Sequence, residues 1–109
     1  FINKRRKSVN NEVLCEIYGL LKSIGAVQNE SEFCKDWLKR SDSYMRQLRF
    51  NQAMASTTCL AICASKLRHY GKQMRETVQH RQLGEEFLFL SERCTELINK
   101  EAEATWLAA

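Results

Sequence analysis

The sequence predicts an all-α fold: a helical bundle of about five helices containing a helix-turn-helix, with a C-terminal helical extension. Three observations predict it. Proline is absent and glycine occurs only 4 times in 109 residues, too little turn punctuation for the short strands of a sandwich or barrel. Apolar residues recur at three- and four-residue spacings, the mark of amphipathic helices. Hydrophobic residues make up 44% of the chain, which suits one small core and a single compact domain.

Each element has a local reason. Residues 1–10, with Lys4, Arg5, Arg6 and Lys7, hold few apolar side chains and are expected outside the bundle as a basic N-terminal arm. No apolar core follows the basic cluster, so it is not expected to act as a secretory signal. Residues 11–70 are expected to form the helix-turn-helix bundle. Leu14, Ile17, Tyr18, Leu21 and Ile24 share one face of a helix over 11–24, capped by Asn10 or Asn11 and ended by Gly25. Asn29 with Glu32 has capping-box spacing and opens a short helix over 30–38, with Phe33, Cys34, Trp37 and Leu38 inward.

Ser41 reads as a second N-cap. The helix after it, over 42–50, buries Met45 and Leu48 and turns Asp42, Ser43, Arg46, Gln47 and Arg49 outward. Residues 51–55 read as a loop. Ser56 caps a fourth helix to about Tyr70, where Gly71 offers a stop. Residues 71–109 form the C-terminal helical region. There Leu83, Phe87, Leu90, Cys94 and Leu97 repeat at four, three, four and three, a heptad stripe among glutamates. Two readings stand for this stripe: a last helix on the same core, or a dimerisation helix. Gly84 is a candidate break within it.

Charge is uneven along the chain. Residues 1–38 carry six basic and five acidic side chains, residues 39–75 eight and one, and residues 76–109 three and seven. From Ser43 to Arg75 there is no carboxylate. A basic middle with an acidic tail suits an anionic partner.

The chemistry of catalysis is thinly represented. There is no Gly-rich phosphate loop, and His69 and His80, the only histidines, have no acidic neighbour arranged as a base pair. No enzyme activity and no catalytic residue are assigned. The five cysteines, Cys15, Cys34, Cys59, Cys63 and Cys94, form no Cys-x-x-Cys pair and sit among apolar residues. They are expected as buried, reduced thiols rather than metal ligands, and neither metal nor cofactor is assigned. No apolar run approaches the ~18 residues of a membrane span, so no membrane association is expected and a cytoplasmic location is.

Two short capped helices in succession inside a bundle describe a helix-turn-helix. From Glu32 to Leu67 the chain resembles the Cro/C1-type (XRE-like) helix-turn-helix of phage repressors and bacterial regulators. The run Ser41-Asp42-Ser43-Tyr44-Met45-Arg46-Gln47-Leu48-Arg49 is similar to that family's Ser-x-x-x-Ile-Ser-x-Ile-Glu. Ala55-Ser56-Thr57-Thr58-Cys59-Leu60, continued by Ala64 and Leu67, resembles its following helix, and Phe33-Cys34 fits its Leu-Ala pair. The departures are a turn one residue longer, Leu38-Lys39-Arg40 where that turn has Gly, and Arg49 in place of Glu. The pattern Phe33-Cys34-x-x-Trp37-Leu38-x-x-Ser41-x-Ser43-Tyr44 also resembles a group of short proteobacterial proteins with no function to transfer, in which Gly commonly follows Trp-Leu.

The expected function is a sequence-specific, DNA-binding transcriptional regulator with its recognition helix over about 41–50. Ser41, Asp42, Ser43, Arg46 and Gln47 are the expected base contacts. Bidentate bonds suit Gln47 to adenine and Arg46 to guanine. Lys39, Arg40 and Arg49 are the expected phosphate contacts, and the Lys4–Lys7 arm is a further candidate for a neighbouring groove. Double-stranded DNA is the expected partner. A homodimer follows from the paired half-sites such proteins read, with Leu83, Phe87, Leu90, Cys94 and Leu97 as the candidate joint. The alternative is a helical adaptor of the antiactivator, antitoxin or inhibitor type, which binds a protein and no DNA.

Overall fold

A computed structural model describes residues 8–108, and all the regular structure among them is helical. Five helices follow in order: α1 (Val9–Ser23), α2 (Glu30–Asp36), α3 (Tyr44–Asn51), α4 (Thr57–Arg75) and α5 (Arg81–Leu107). The basic cluster Lys4–Lys7 lies outside the described residues.

α1 begins earlier than its apolar pattern suggests. Ser8 is the N-cap, its hydroxyl accepting from the Asn11 N–H, so Val9 and Asn10 are helix and not arm. Asn10 and Asn11, expected as caps, are used at long range instead. The Asn10 amide donates to the Ala55 carbonyl at 3.1 Å. Asn11 donates to the Ala53 carbonyl at 2.9 Å and accepts from the Ala55 N–H at 2.8 Å. The two side chains thus hold the loop before α4 against the start of α1. Inward, Val13, Leu14, Ile17 and Leu21 are fully buried. Gly25, at φ +80°, ends the helix as expected, because a left-handed residue lets the chain reverse and the Ala26 N–H reach the Leu21 carbonyl at 2.8 Å.

Ser56 caps α4 as its position suggests, accepting from the Cys59 N–H at 3.3 Å. The helix does not stop at Gly71, however, and α5 does not break at Gly84. Both glycines serve close approach. A Cβ on Gly84 would stand 2.8 Å from the Gly71 carbonyl oxygen and 2.9 Å from the Arg75 nitrogen, and one on Gly71 would stand 3.1 Å from the Gly84 oxygen. α4 and α5 form an antiparallel hairpin that closes tightest at this crossing. Farther along, the Ser91 hydroxyl donates to the Ala64 carbonyl at 2.8 Å.

The heptad stripe lies in this same hairpin. Phe87, Leu90 and Cys94 are buried within the single chain, and Leu83 and Leu97 pack half-buried on the same core. Within the single chain the stripe serves as the last helix on the chain's own core. A stripe at four-three spacing suits either use, and α4 supplies the facing surface: Leu60, Cys63, Ala64 and Leu67. α5 has 27 residues against 19 in α4, so its last turns run on past the α4 start, with Trp106 and Leu107 about two-thirds exposed.

Four cysteines are buried, as expected, but Cys15 is on the outer face of α1. Burial raises the Cys63 thiol well above its ordinary range and pushes Cys94 up to about 11. Both are protonated core residues at neutral pH. Among the described residues, no group of three or more His, Cys, Asp or Glu could hold a metal ion, and no helix is long and apolar enough to cross a membrane.

Candidate nucleic-acid interface

α2 is capped at both ends by identifiable groups. The Asn29 carboxamide accepts from the Glu32 N–H at 2.9 Å, and the Glu32 carboxylate reaches back past the cap to accept from the Gln28 N–H at 2.9 Å, a capping box shifted by one residue. At the other end Trp37 and Leu38 leave the helix and turn into the core. Lys39 follows in the left-handed region at φ +55°. That conformation lets the Arg40 N–H return to the Cys34 carbonyl at 3.0 Å. The turn therefore does need a left-handed residue where the resembling families place Gly, and here a lysine adopts it.

The second helix differs from its expected form. Ser41 is not its cap; its carbonyl accepts from the Tyr44 N–H at 3.1 Å, so Ser41 and Asp42 belong to the turn. α3 starts at Tyr44 with Ser43 as N-cap, and the Ser43 hydroxyl makes no capping bond. It accepts instead from the Gln47 amide at 2.8 Å. The physical reason lies outside the local pattern: the left-handed Lys39 turns the chain, and the Tyr44 hydroxyl is drawn to the Ser56 N–H. Met45 and Leu48 are buried as expected. The Tyr44 hydroxyl accepts from the Ser56 N–H at 3.2 Å and lies 3.6 Å from the Cys59 sulfur, pinning the start of α3 to the cap of α4. Beneath it, burial raises the Cys34 thiol, against the opposing pull of the Met45 amide.

The proposed contacts separate into groups that project to solvent, Gln47 among them although its amide also donates to Ser43, and groups tied to other elements. Arg46 and Gln47 are exposed side by side on α3, and Ser41, Asp42 and Lys39 are exposed in the turn. Arg40 is engaged: its guanidinium donates to the Ser56 hydroxyl at 2.9 Å and lies 5.4 Å from the centre of the Tyr44 ring. Arg49 is engaged too, in a two-pronged ion pair with Glu30 at 2.9 and 3.0 Å. That pair holds the Glu30 carboxyl below its usual range, chiefly through the hydrogen bonds from Arg49, with Arg46 adding a smaller pull. The sequence pattern did not signal either commitment, since the partners lie 16 and 19 residues away.

The carboxylate-free stretch is also less bare in space than in sequence. Glu30 comes from α2 to meet Arg49. Arg68, Lys72 and Arg75 of α4 share a depression with Glu85 and Glu92 of α5. The Lys66 ammonium donates to the Asp36 carbonyl at 2.8 Å and sits 4.6 Å from the centre of the Trp37 ring. What projects from α3 is a mixed surface. Arg46 and Gln47 stand beside Phe50, which is 86% exposed, and Met54 in the following loop is 54% exposed. Phe50 was expected only as the end of the helix; two exposed apolar side chains within five residues are a feature the periodicity alone did not flag.

Neither curated proteins nor solved structures yield a match. A protein-family model does match, over residues 14–107, from within α1 through the end of α5. The chain therefore belongs to the family described as "Family of unknown function (DUF6626)".

Proposed function

We propose that the chain is a DNA-binding regulator that presents α3 to the major groove, acting in the cytoplasm. The observation that carries this reading is the outward face of α3, where Arg46 and Gln47 are both exposed and stand on a helix pinned from behind by buried Met45 and Leu48. A short helix held in this way can enter a groove without bending, and these two side chain types read guanine and adenine edges. Lys39, exposed in the turn, supplies a phosphate contact. Arg40 and Arg49 act differently from the first expectation: they position the turn and α3 rather than reach for the backbone. Ser41, Asp42 and Ser43 sit at the groove-side edge, ahead of the helix. Pairing on two half-sites would use a surface other than the buried Phe87, Leu90 and Cys94.

Fluorescence anisotropy with genome-selected and random duplexes at two salt concentrations tests the reading. Selected duplexes bind, affinity falls steeply with salt, and binding survives random competitor. Arg46→Ala lowers affinity for the selected duplex by about tenfold or more and relaxes one position of the site. Absence of binding at low salt ends the proposal.

A protein-binding adaptor is the second reading, favoured by a specific observation: Phe50 and Met54 are exposed together beside α3. An aromatic and a methionine left in water are typical anchors of a protein interface. Phe50→Ser separates the two readings, because it leaves the polar groove contacts in place and removes the apolar anchor.

A further inference from the structure

A second concave site lies behind the turn. Ile24 and Ala26 from the end of α1, Trp37 and Lys39 from the turn, Lys66, Tyr70, Gln73 and Met74 from α4, and Phe87 from α5 surround an open depression of about 470 Å³. That volume falls in the range of small-molecule sites, roughly 300–1,000 Å³.

Its inner wall is aromatic and rigid. Trp37 and Phe87 are nearly buried and meet edge to face at 6.3 Å, and Tyr70 lies 6.0 Å from Trp37. Its rim is apolar but wet: Ile24 is 42% and Tyr70 40% exposed. Its charge is unbalanced, with the ammoniums of Lys39 and Lys66 against one carboxylate, Asp36. Lys66 spends one of its three N–H donors on the Asp36 carbonyl and already covers the Trp37 face. A cationic ligand would therefore find the ring face taken and two like charges beside it. An anion with a flat apolar body would gain both ammoniums and the exposed parts of Ile24 and Tyr70. The Gln73 amide lies in the same lining, 3.3 Å from the His69 Nε2.

We propose that this depression binds a small aromatic carboxylate, its ring against Tyr70, Ile24 and Met74 and its carboxylate between Lys39 and Lys66. The lysine held at φ +55° fits this role, since a left-handed non-glycine residue is a strained choice that puts a lysine in the lining where glycine would put no side chain. The site shares Lys39 with the proposed DNA face, but its test uses no DNA and is read separately from that proposal.

The test is a titration of the ¹⁵N-labelled chain, followed by two-dimensional NMR, with benzoate, benzamide and benzylammonium. The sequence contains two tryptophans, so a Trp106→Phe variant identifies the Trp37 indole N–H. Benzoate shifts that signal to saturation, together with the Gln73 amide, and binds about tenfold more tightly than benzamide, the margin of a charge-assisted contact. Benzylammonium leaves the signal in place. Lys66→Met weakens benzoate about tenfold. Lys39→Gly, which removes an ammonium while relieving the backbone, weakens it in a chain that remains folded. Equal responses to the three probes, shifts confined to other residues, or no saturable shift with benzoate each overturn the proposal.

Discussion

The α4–α5 hairpin and the α2–turn–α3 unit are held together by different means. The hairpin rests on backbone approach and apolar burial: Gly71 against Gly84, and Phe87, Leu90 and Cys94 against Leu60, Cys63 and Leu67. The α2–α3 unit buries Phe33, Cys34, Leu38, Met45 and Leu48 as well, but its turn and ends are fixed by discrete polar bonds at or near the surface: Asn29, Arg40, Tyr44 and the Glu30–Arg49 pair. Close-packed burial is felt at every methyl group, whereas each exposed polar bond contributes little and is individually replaceable. A scaffold built the first way can carry a presenting surface built the second way, and that surface can change without unfolding the molecule.

The largest expected break is in the hairpin. Gly84→Ala puts a methyl 2.8 Å from one backbone oxygen and 2.9 Å from a backbone nitrogen, atoms that cannot swing aside. The helices must separate, at a cost of about 2–3 kcal/mol. Gly19→Ala is the matched control: nothing lies within 4 Å of its added methyl, and the exposed helix site gains about 1 kcal/mol from alanine's propensity. Chemical denaturation of both should give opposite signs. Two losses, or two gains, would remove close approach as the explanation of the crossing.

Next in size is the bridge between α1 and the loop that leads from α3. Asn11→Ala deletes two hydrogen bonds and leaves the part-buried Ala55 N–H without its acceptor, at about 1–2 kcal/mol. Hydrogen exchange checks the location: the Ala55 amide should lose protection while the Leu60 and Leu67 amides, deep in α4, keep theirs.

The turn itself offers an improvement. Lys39→Gly relieves a left-handed residue that costs roughly 1–2 kcal/mol, against the extra unfolded-state freedom of glycine of roughly 0.5–1 kcal/mol. The net is a gain of about 0.5–1 kcal/mol in the denaturation midpoint free energy. A loss would mean that the Lys39 side chain contributes more than its backbone costs.

The same contrast decides what could be read in the sequence. The five helices, the Asn29 and Ser56 caps and the Gly25 stop follow from local periodicity and short-range chemistry, and those are the forces that place them. Gly71 and Gly84 were legible as special but not as what they are, because a glycine that ends a helix and one that lets two helices touch look alike until the partner is known. The heptad stripe was ambiguous for the same reason. Ser41 looked like the cap because it precedes an amphipathic run. The actual start at Tyr44 depends on the left-handed Lys39 and on the Tyr44 hydroxyl reaching Ser56, neither of which a linear pattern contains. For the candidate interface, exposure of Arg46 and Gln47 followed from the spacing of Met45 and Leu48. The engagement of Arg40 and Arg49 did not, since it needs α2 and α4 in place.

The smallest expected effect falls on the Glu30–Arg49 pair, and its pH dependence separates it from the rest. The bonds from Arg49 lower the Glu30 carboxyl from its ordinary 4.5. A carboxyl depressed in the folded state contributes stability that is full above the unfolded value and is lost as pH falls through the folded one. The pair thus stabilises α2–α3 at neutral pH and stops doing so in the acid range below about 4.5. Its side chains are 30% and 57% exposed, so solvent screening holds the neutral-pH contribution to a few tenths of a kcal/mol. Glu30→Gln should cost that much at pH 7, less in high salt, and nothing once the wild-type carboxyl is protonated. Paired denaturation curves at pH 7 and in the acid range check it. A difference that persists undiminished in acid would show that Glu30 works through packing rather than charge.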